Sequence, residues 1–129
     1  MSSIFNKIIL GELPCHKVGE NEEFIAFLDI MPLSIGHVLV IPKLEVDYIF
    51  DIDDDLLGRM IVFSKEIAIK LKKACPCEKI GVTVIGLEVP HAHIHLIPMN
   101  SVSDMNFAKE KLKVSDQELS DLAIKINSY

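Results

Sequence analysis

The sequence has no internal repeat, no low-complexity run and no flexible linker, so nothing in its 129 residues marks a domain boundary. One domain spanning 1–129 is the expectation, with 99–129 as a C-terminal tail and helix, because a chain of this length can bury a core of its own. Cysteine is scarce: Cys15, Cys75 and Cys77 cannot all pair with one another, and reduced thiols are expected. Cys75-Pro76-Cys77 falls one residue short of the two-residue gap of familiar redox and metal-binding pairs. Long apolar runs are also missing. A lysine and a glutamate interrupt the N-terminal MSSIFNKIILGELP, and it carries no small-residue cleavage site. Neither a signal peptide nor a membrane span is expected, and the cytoplasm is the default location. Positive charge is in deficit, with 13 Lys and Arg against 19 Asp and Glu and a net charge of −6. That balance argues against broad binding of nucleic acid or anionic membrane, yet a local cluster of donors can still hold one small anion.

Half of the residues are apolar and a quarter are charged, the mix of an ordinary globular protein. Ser3 can cap a short helix from Ile4 to about Leu10, closed by Gly11. CHKVGE (15–20) and EEFIAFLD (22–29) read as strands around a turn at Glu20-Asn21-Glu22. MPLSIG (31–36) is a loop, and HVLVIP (37–42) is a β-branched strand stopped by Pro42. Leu56, Leu57, Met60, Ile61, Phe63, Ile67 and Leu71 recur at three- and four-residue spacing and predict a long helix from about Asp53 to Ala74. Asp53, Asp54 and Asp55 suit the start of its dipole and Lys70, Lys72 and Lys73 its end, which favours a helix start over a metal site for the acidic run. KIGVTVIG (79–86) and HAHIHLIP (91–98) read as two more strands. Ser115 and Glu118 form a capping box for a last helix ending near Ile126. Strands first, then one helix, then two further strands suggest an α+β domain with an antiparallel sheet.

The segment VPHAHIHLIP, 89–98, carries three of the five histidines at alternate positions. In a strand, His91, His93 and His95 share one face while Ala92, Ile94 and Leu96 press into the core. Neighbouring rings then stand about 6.6 Å apart along the chain. Two such rings can reach one zinc ion, but three can do so only with strain. A row of imidazoles suits an extended anion better, since each ring meets a different oxygen. Neutral imidazole is a competent nucleophile near pH 7, and attack at phosphorus would split a hard displacement into two easier ones. His93, in the middle, is the best placed nucleophile. Its neighbours can bond the equatorial oxygens and hand a proton to the leaving group. His93 would need a fixed partner, such as a backbone carbonyl, to hold its tautomer.

With these residues in hand, the chain resembles the histidine triad (HIT) family of nucleotide hydrolases and transferases. His91-Ala92-His93-Ile94-His95-Leu96-Ile97 fits that family's signature. IFNKIILGELP (4–14), FIAFLDIMPLSIGHVLVIPK (24–43) and the long helix are similar to the family in the same order, so the likeness covers about residues 3 to 98. It implies a five-stranded antiparallel sheet with one long and one or two shorter helices, joined sheet to sheet in a homodimer. It implies a purine nucleotide substrate, such as a nucleoside phosphoramidate, cleaved at its α-phosphate through a covalent nucleotidyl-histidine, and no cofactor. His93 matches the nucleophile, His91 the residue whose carbonyl orients it, and His95 the phosphate-binding member. His37 matches a fourth histidine near the triad. Asp29 matches the carboxylate that binds ribose hydroxyls. Ile4, Phe5, Ile8, Leu13, Phe27, Ile30 and Leu39 match apolar walls around the base.

Three departures stand out. Many relatives bind a structural zinc through two cysteines and two histidines, but the corresponding positions here are Ser3, Asn6 and Glu45, with only His91 retained. Such a site is not expected. Glu88, in the short approach Gly86-Leu87-Glu88-Val89-Pro90, stands where a hydroxyl residue is common. It would act as a general acid only if burial or phosphate charge kept it protonated, and is equally readable as a loop carboxylate. Without tryptophan, the tail cannot supply the indole that some relatives place over the partner's site, which leaves Met99, Asn100 and Ser101 as possible lining. Two other readings remain open at this point: a catalytically weak nucleotide-binding or partner-binding dimer, and a metal-dependent hydrolase using His91, His93 and His37.

Overall fold

The computed structural model describes residues 3–129. Five strands, β1 (Lys17–Glu20), β2 (Phe24–Leu28), β3 (Val38–Pro42), β4 (Lys79–Thr83) and β5 (Ile94–Met99), form one antiparallel sheet in the order β1-β2-β3-β5-β4. Three α-helices accompany it: α1 (Ile4–Ile9), α2 (Asp54–Ala74) and α3 (Asp116–Asn127). The expected α+β architecture is therefore the observed one. No helix among the described residues is long and apolar enough to cross a membrane.

Helix starts follow the side chains that cap them. Asp53 Oδ1 accepts from the Leu56 amide at 2.9 Å, so the acidic run does begin α2. Ser115 and Glu118 make the reciprocal box that opens α3. The strands alternate strictly between two cores. Phe24, Ala26 and Leu28 of β2 and Val38 and Val40 of β3 pack with Ile94 and Leu96 against Met60, Phe63, Ile67 and Leu71 of α2 and Leu119, Ala123 and Ile126 of α3. On the other face Ile25, Phe27, Leu39 and Ile41 form a smaller cluster with Phe5, Ile8 and Val89. Both faces of β2 and β3 are thus covered, which is why these strands read as unbroken apolar runs.

One boundary departs from expectation in a way that matters for the site. β5 begins at Ile94, and His91 to His93 lie outside the strand. The His91 amide turns back to the Val89 carbonyl at 2.8 Å and the Ala92 amide reaches the Val46 carbonyl at 2.7 Å, so neither joins the ladder. Pairing with β3 correspondingly runs only from Val38↔Leu96 to Val40↔Ile94. β4 stops at Thr83, paired with His95, rather than reaching Gly86, and β5 itself extends only one residue past that pair, to Ile94.

Candidate active site

His91 is wholly buried, and its ring does not stand in a row with the other two. Its Nε2 lies 2.8 Å from the Pro42 carbonyl, which can only accept, so Nε2 carries the proton. Its Nδ1 then accepts from the Ser3 hydroxyl at 2.9 Å, and Ser3 Oγ in turn caps α1 by accepting from the Asn6 amide. The ring is a structural tie between the N-terminal helix and the end of β3. What His91 offers the site is its backbone: its carbonyl lies 2.7 Å from His93 Nδ1. That bond fixes His93 as the Nδ1–H tautomer and leaves the Nε2 lone pair as its reactive atom.

A second chain of bonds sets His95. The Leu33 amide donates to His37 Nδ1 at 3.0 Å, so the His37 proton sits on Nε2. His37 Nε2 then donates to His95 Nδ1 at 2.9 Å, and His95 is left with its proton on Nε2. Among the described residues no fully buried side-chain nitrogen or oxygen lacks a partner, so the unbonded Nε2 atoms of His93 and His95 each keep some exposure. One presents a lone pair and the other an N–H. The two rings stand edge to face with centroids 4.8 Å apart, closer than an extended strand alone would set them. Phe5 packs edge-on against His93 at 4.9 Å.

Burial keeps these rings neutral. Burial first, then neighbouring charge, together pull His37 down to about 4 and His95 down to about 3, and burial also lowers His93. Asp29 moves the other way: burial raises it, opposed by the Met31 amide that its Oδ1 accepts from at 2.9 Å. Its Oδ2 is 3.7 Å from His37 Nε2, which ties the end of β2 to the histidines. Deprotonated Nε2 on one ring, protonated Nε2 on the next and a carboxylate beside them can hold a phosphate ester and attack it.

Residues 10–102 match the HIT domain family. A HIT-like protein of Borreliella burgdorferi is 35% identical over 96% of this chain and 95% of its own length. The adenosine 5'-monophosphoramidase of Schizosaccharomyces pombe is 33% identical over 99% of this chain and 98% of its own. The crystal structure of a HIT-like protein from Bartonella henselae superposes with a TM-score of 0.84 at 33% identity, covering 98% of this chain and 95% of that one. This chain belongs to the HIT family.

Its HIT domain is the nucleotide-binding fold of a hydrolase and transferase family, and the site residues read from the sequence can now be placed on it. His93, His95, His37 and Asp29 come together, with His91 behind them. Phe5, Ile8, Phe27 and Leu39 form one apolar cluster beside His93. Ile4, Leu13 and Ile30 lie outside that cluster and are exposed, Ile30 to 67%. Glu88 is exposed as well, so the burial that would favour a general-acid role is missing, although its charge acts on both His93 and Asp29. Asn100 and Ser101 do not turn to the histidines: their amides bond Asp104, and the Asn100 side chain accepts from the Glu78 amide. Instead the tail brings Phe107, whose ring centroid is 5.0 Å from that of His95 and 6.2 Å from that of His37. Nothing local in the sequence signals Phe107, because its position depends on how the tail folds back. Val89 is a further lining residue that alternation alone did not single out.

Two metal sets can be judged by chemistry. Ser3, Glu45 and His91 do meet, with the Ser3 amide donating to Glu45 Oε1 at 3.3 Å. A hydroxyl and a backbone amide hold them together, and both His91 nitrogens are occupied, so this set does not fit zinc. Asp29, His37 and His95 have ligand atoms within 4.8 Å of one another. An ion on His37 Nε2 would push its proton to Nδ1, where the Leu33 amide already points a hydrogen. That set does not fit either.

Proposed function

We propose that the protein is a nucleotidyl hydrolase or transferase that cleaves purine nucleotides at the α-phosphate, with nucleoside phosphoramidates as the substrate class. The observation that carries this reading is the pair of tautomers: His93 with a free Nε2 lone pair beside His95 with an Nε2 proton. The His93 lone pair attacks phosphorus, a P–Nε2 bond forms, and the bond from phosphorus to the leaving nitrogen breaks, that nitrogen taking a proton from solvent. His95 Nε2–H donates to a non-bridging oxygen as charge gathers there. Water then attacks the same phosphorus, loses a proton to solvent, and returns His93 as AMP leaves. Asp29 is assigned to the ribose hydroxyls, and Phe5, Ile8, Phe27 and Leu39 to the base. The name borne by the fission yeast relative supports the phosphoramidate class.

Adenosine phosphoramidate is the direct test. Rapid quenching should trap an AMP adduct on His93, detectable by peptide mass, and His93→Ala should abolish turnover. Turnover unchanged in that variant would sink the proposal. The opposing charge of Glu88 at His93 and Asp29 favours one second reading, a nucleotide-binding module with weak turnover. AMP binding in the absence of any adduct or hydrolysis would select it. In either case we assign a homodimer joined at β4, the edge strand, and a cytoplasmic setting that suits three free thiols.

A further inference from the structure

The neutral histidines leave a problem that the triad does not solve. A phosphate entering the site meets no imidazolium, since burial holds His37 at about 4 and His95 at about 3, and it passes the carboxylates of Asp29 and Glu88. Some other group must compensate its charge. The folded-back tail carries one. Phe107 packs on His95 and His37, the Leu112 amide ties the strap to the Pro32 carbonyl at 2.9 Å, and between them Lys111 holds its Nζ 5.7 Å from the Phe107 ring centroid.

Lys111 differs from Lys109, two residues before it. Lys109 faces Asp104 at 3.9 Å, so its charge is matched by a carboxylate. Among the described residues the Lys111 ammonium bonds only backbone carbonyls, Phe107 at 2.7 Å and Lys109 at 3.4 Å, which fix its position without cancelling its charge. It is half-buried, and its field reaches both Asp29 and His37. An ammonium with three donors and two neutral acceptors keeps a donor for an incoming anion.

From this placement we infer that Lys111, carried on the Phe107 strap, is a phosphate-binding residue of the site and the source of its preference for a nucleotide over the uncharged nucleoside. The inference rests on the nucleotide reading above and adds the tail to the substrate site. It also explains why the strap packs on His95, the ring assigned to phosphate, and not on the apolar cluster assigned to the base.

Calorimetric titration of the full chain with AMP and, separately, with adenosine tests it. Lys111→Met keeps the stem over Phe107 and removes the charge, Lys111→Gln is a second neutral variant, and Lys111→Arg restores the charge. Both neutral variants should bind AMP about tenfold more weakly while adenosine affinity stays within about twofold, and the arginine variant should recover AMP binding. A merely structural lysine would lower both ligands in proportion. The same AMP-to-adenosine ratio in wild type and the neutral variants overturns the inference while leaving the nucleotide reading intact. A wild-type chain that binds neither ligand overturns that reading, and this one with it.

Discussion

Three of the four buried imidazoles have a nitrogen committed to a backbone group, the Pro42 carbonyl for His91, the His91 carbonyl for His93 and the Leu33 amide for His37, and the fourth, His95, is bonded by the His37 ring. Such partners decide which nitrogen is free, while burial is what lowers His37, His93 and His95, against the raising effect of the His91 carbonyl on His93. His37 at about 4 and His95 at about 3 lie below the ordinary 6.5, so between those values the unfolded chain takes up protons that the folded chain does not. Stability therefore rises with pH across that window, is complete above about 6.5, and falls on acidification. Lowering the pH to about 5 should cost about 2 kcal/mol per ring, read as a falling urea midpoint, with a smaller fall in His37→Asn. A midpoint flat between these pH values would contradict the neutral-ring account. Removing the relay altogether is a second test. His37→Ala leaves the Leu33 amide unpaired and frees the His95 tautomer, so turnover of adenosine phosphoramidate should drop at least about a hundredfold. AMP binding should weaken less. Equal loss of both would assign His37 to folding alone.

At the level of elements, short segments are held by single residues that do two jobs. Ser3 caps α1 and satisfies His91, so Ser3→Ala should destabilise the fold by about 2 kcal/mol in thermal melts, more than a simple cap. Gly36 sets the turn that delivers His37 to β3. Its φ is +93, and a Cβ there would sit 2.8 Å from Cys75 Sγ and 3.1 Å from Pro98 Cγ. Gly36→Ala is thus both strained and crowded, and should cost about 2 kcal/mol or more while lowering turnover through a displaced His37. A Gly36→Ala protein with wild-type melting would show that the turn has more room than its contacts indicate.

On the scale of the whole molecule, the sheet is covered on both faces at β2 and β3 but open at β4, whose outer edge has no strand partner among the described residues. Val82, Val84, Ile85 and Leu87 are exposed along that strand and the loop after it. A bare edge flanked by exposed apolar side chains invites pairing, and the proposed isologous joining of two β4 strands would close it. Sedimentation should give about twice the chain mass, and Val82→Lys with Ile85→Lys should shift it to the monomer. A wild-type monomer at micromolar concentration would remove the dimer assignment.

The sequence by itself determined the periodic parts. Unbroken apolar runs at 24–28 and 38–42, three- and four-residue spacing in α2 and the capping residues Asp53 and Ser115 depend on neighbours in the chain, so local pattern suffices to read them. The histidine signature singled out His91, His93 and His95, and the family likeness implied what each contributes. Their hydrogen-bond partners came only with tertiary contacts. Alternation placed three rings in one row, whereas Ser3 and Pro42, distant in sequence, turn the His91 ring away and leave its carbonyl to His93. His37 becomes the partner of His95 only because β3 pairs with β5, and Phe107 and Lys111 arrive only because the tail folds back across the sheet. A proton's position on an imidazole is fixed by whichever donor or acceptor lies within hydrogen-bond reach, and that is a property of the folded chain rather than of spacing along it.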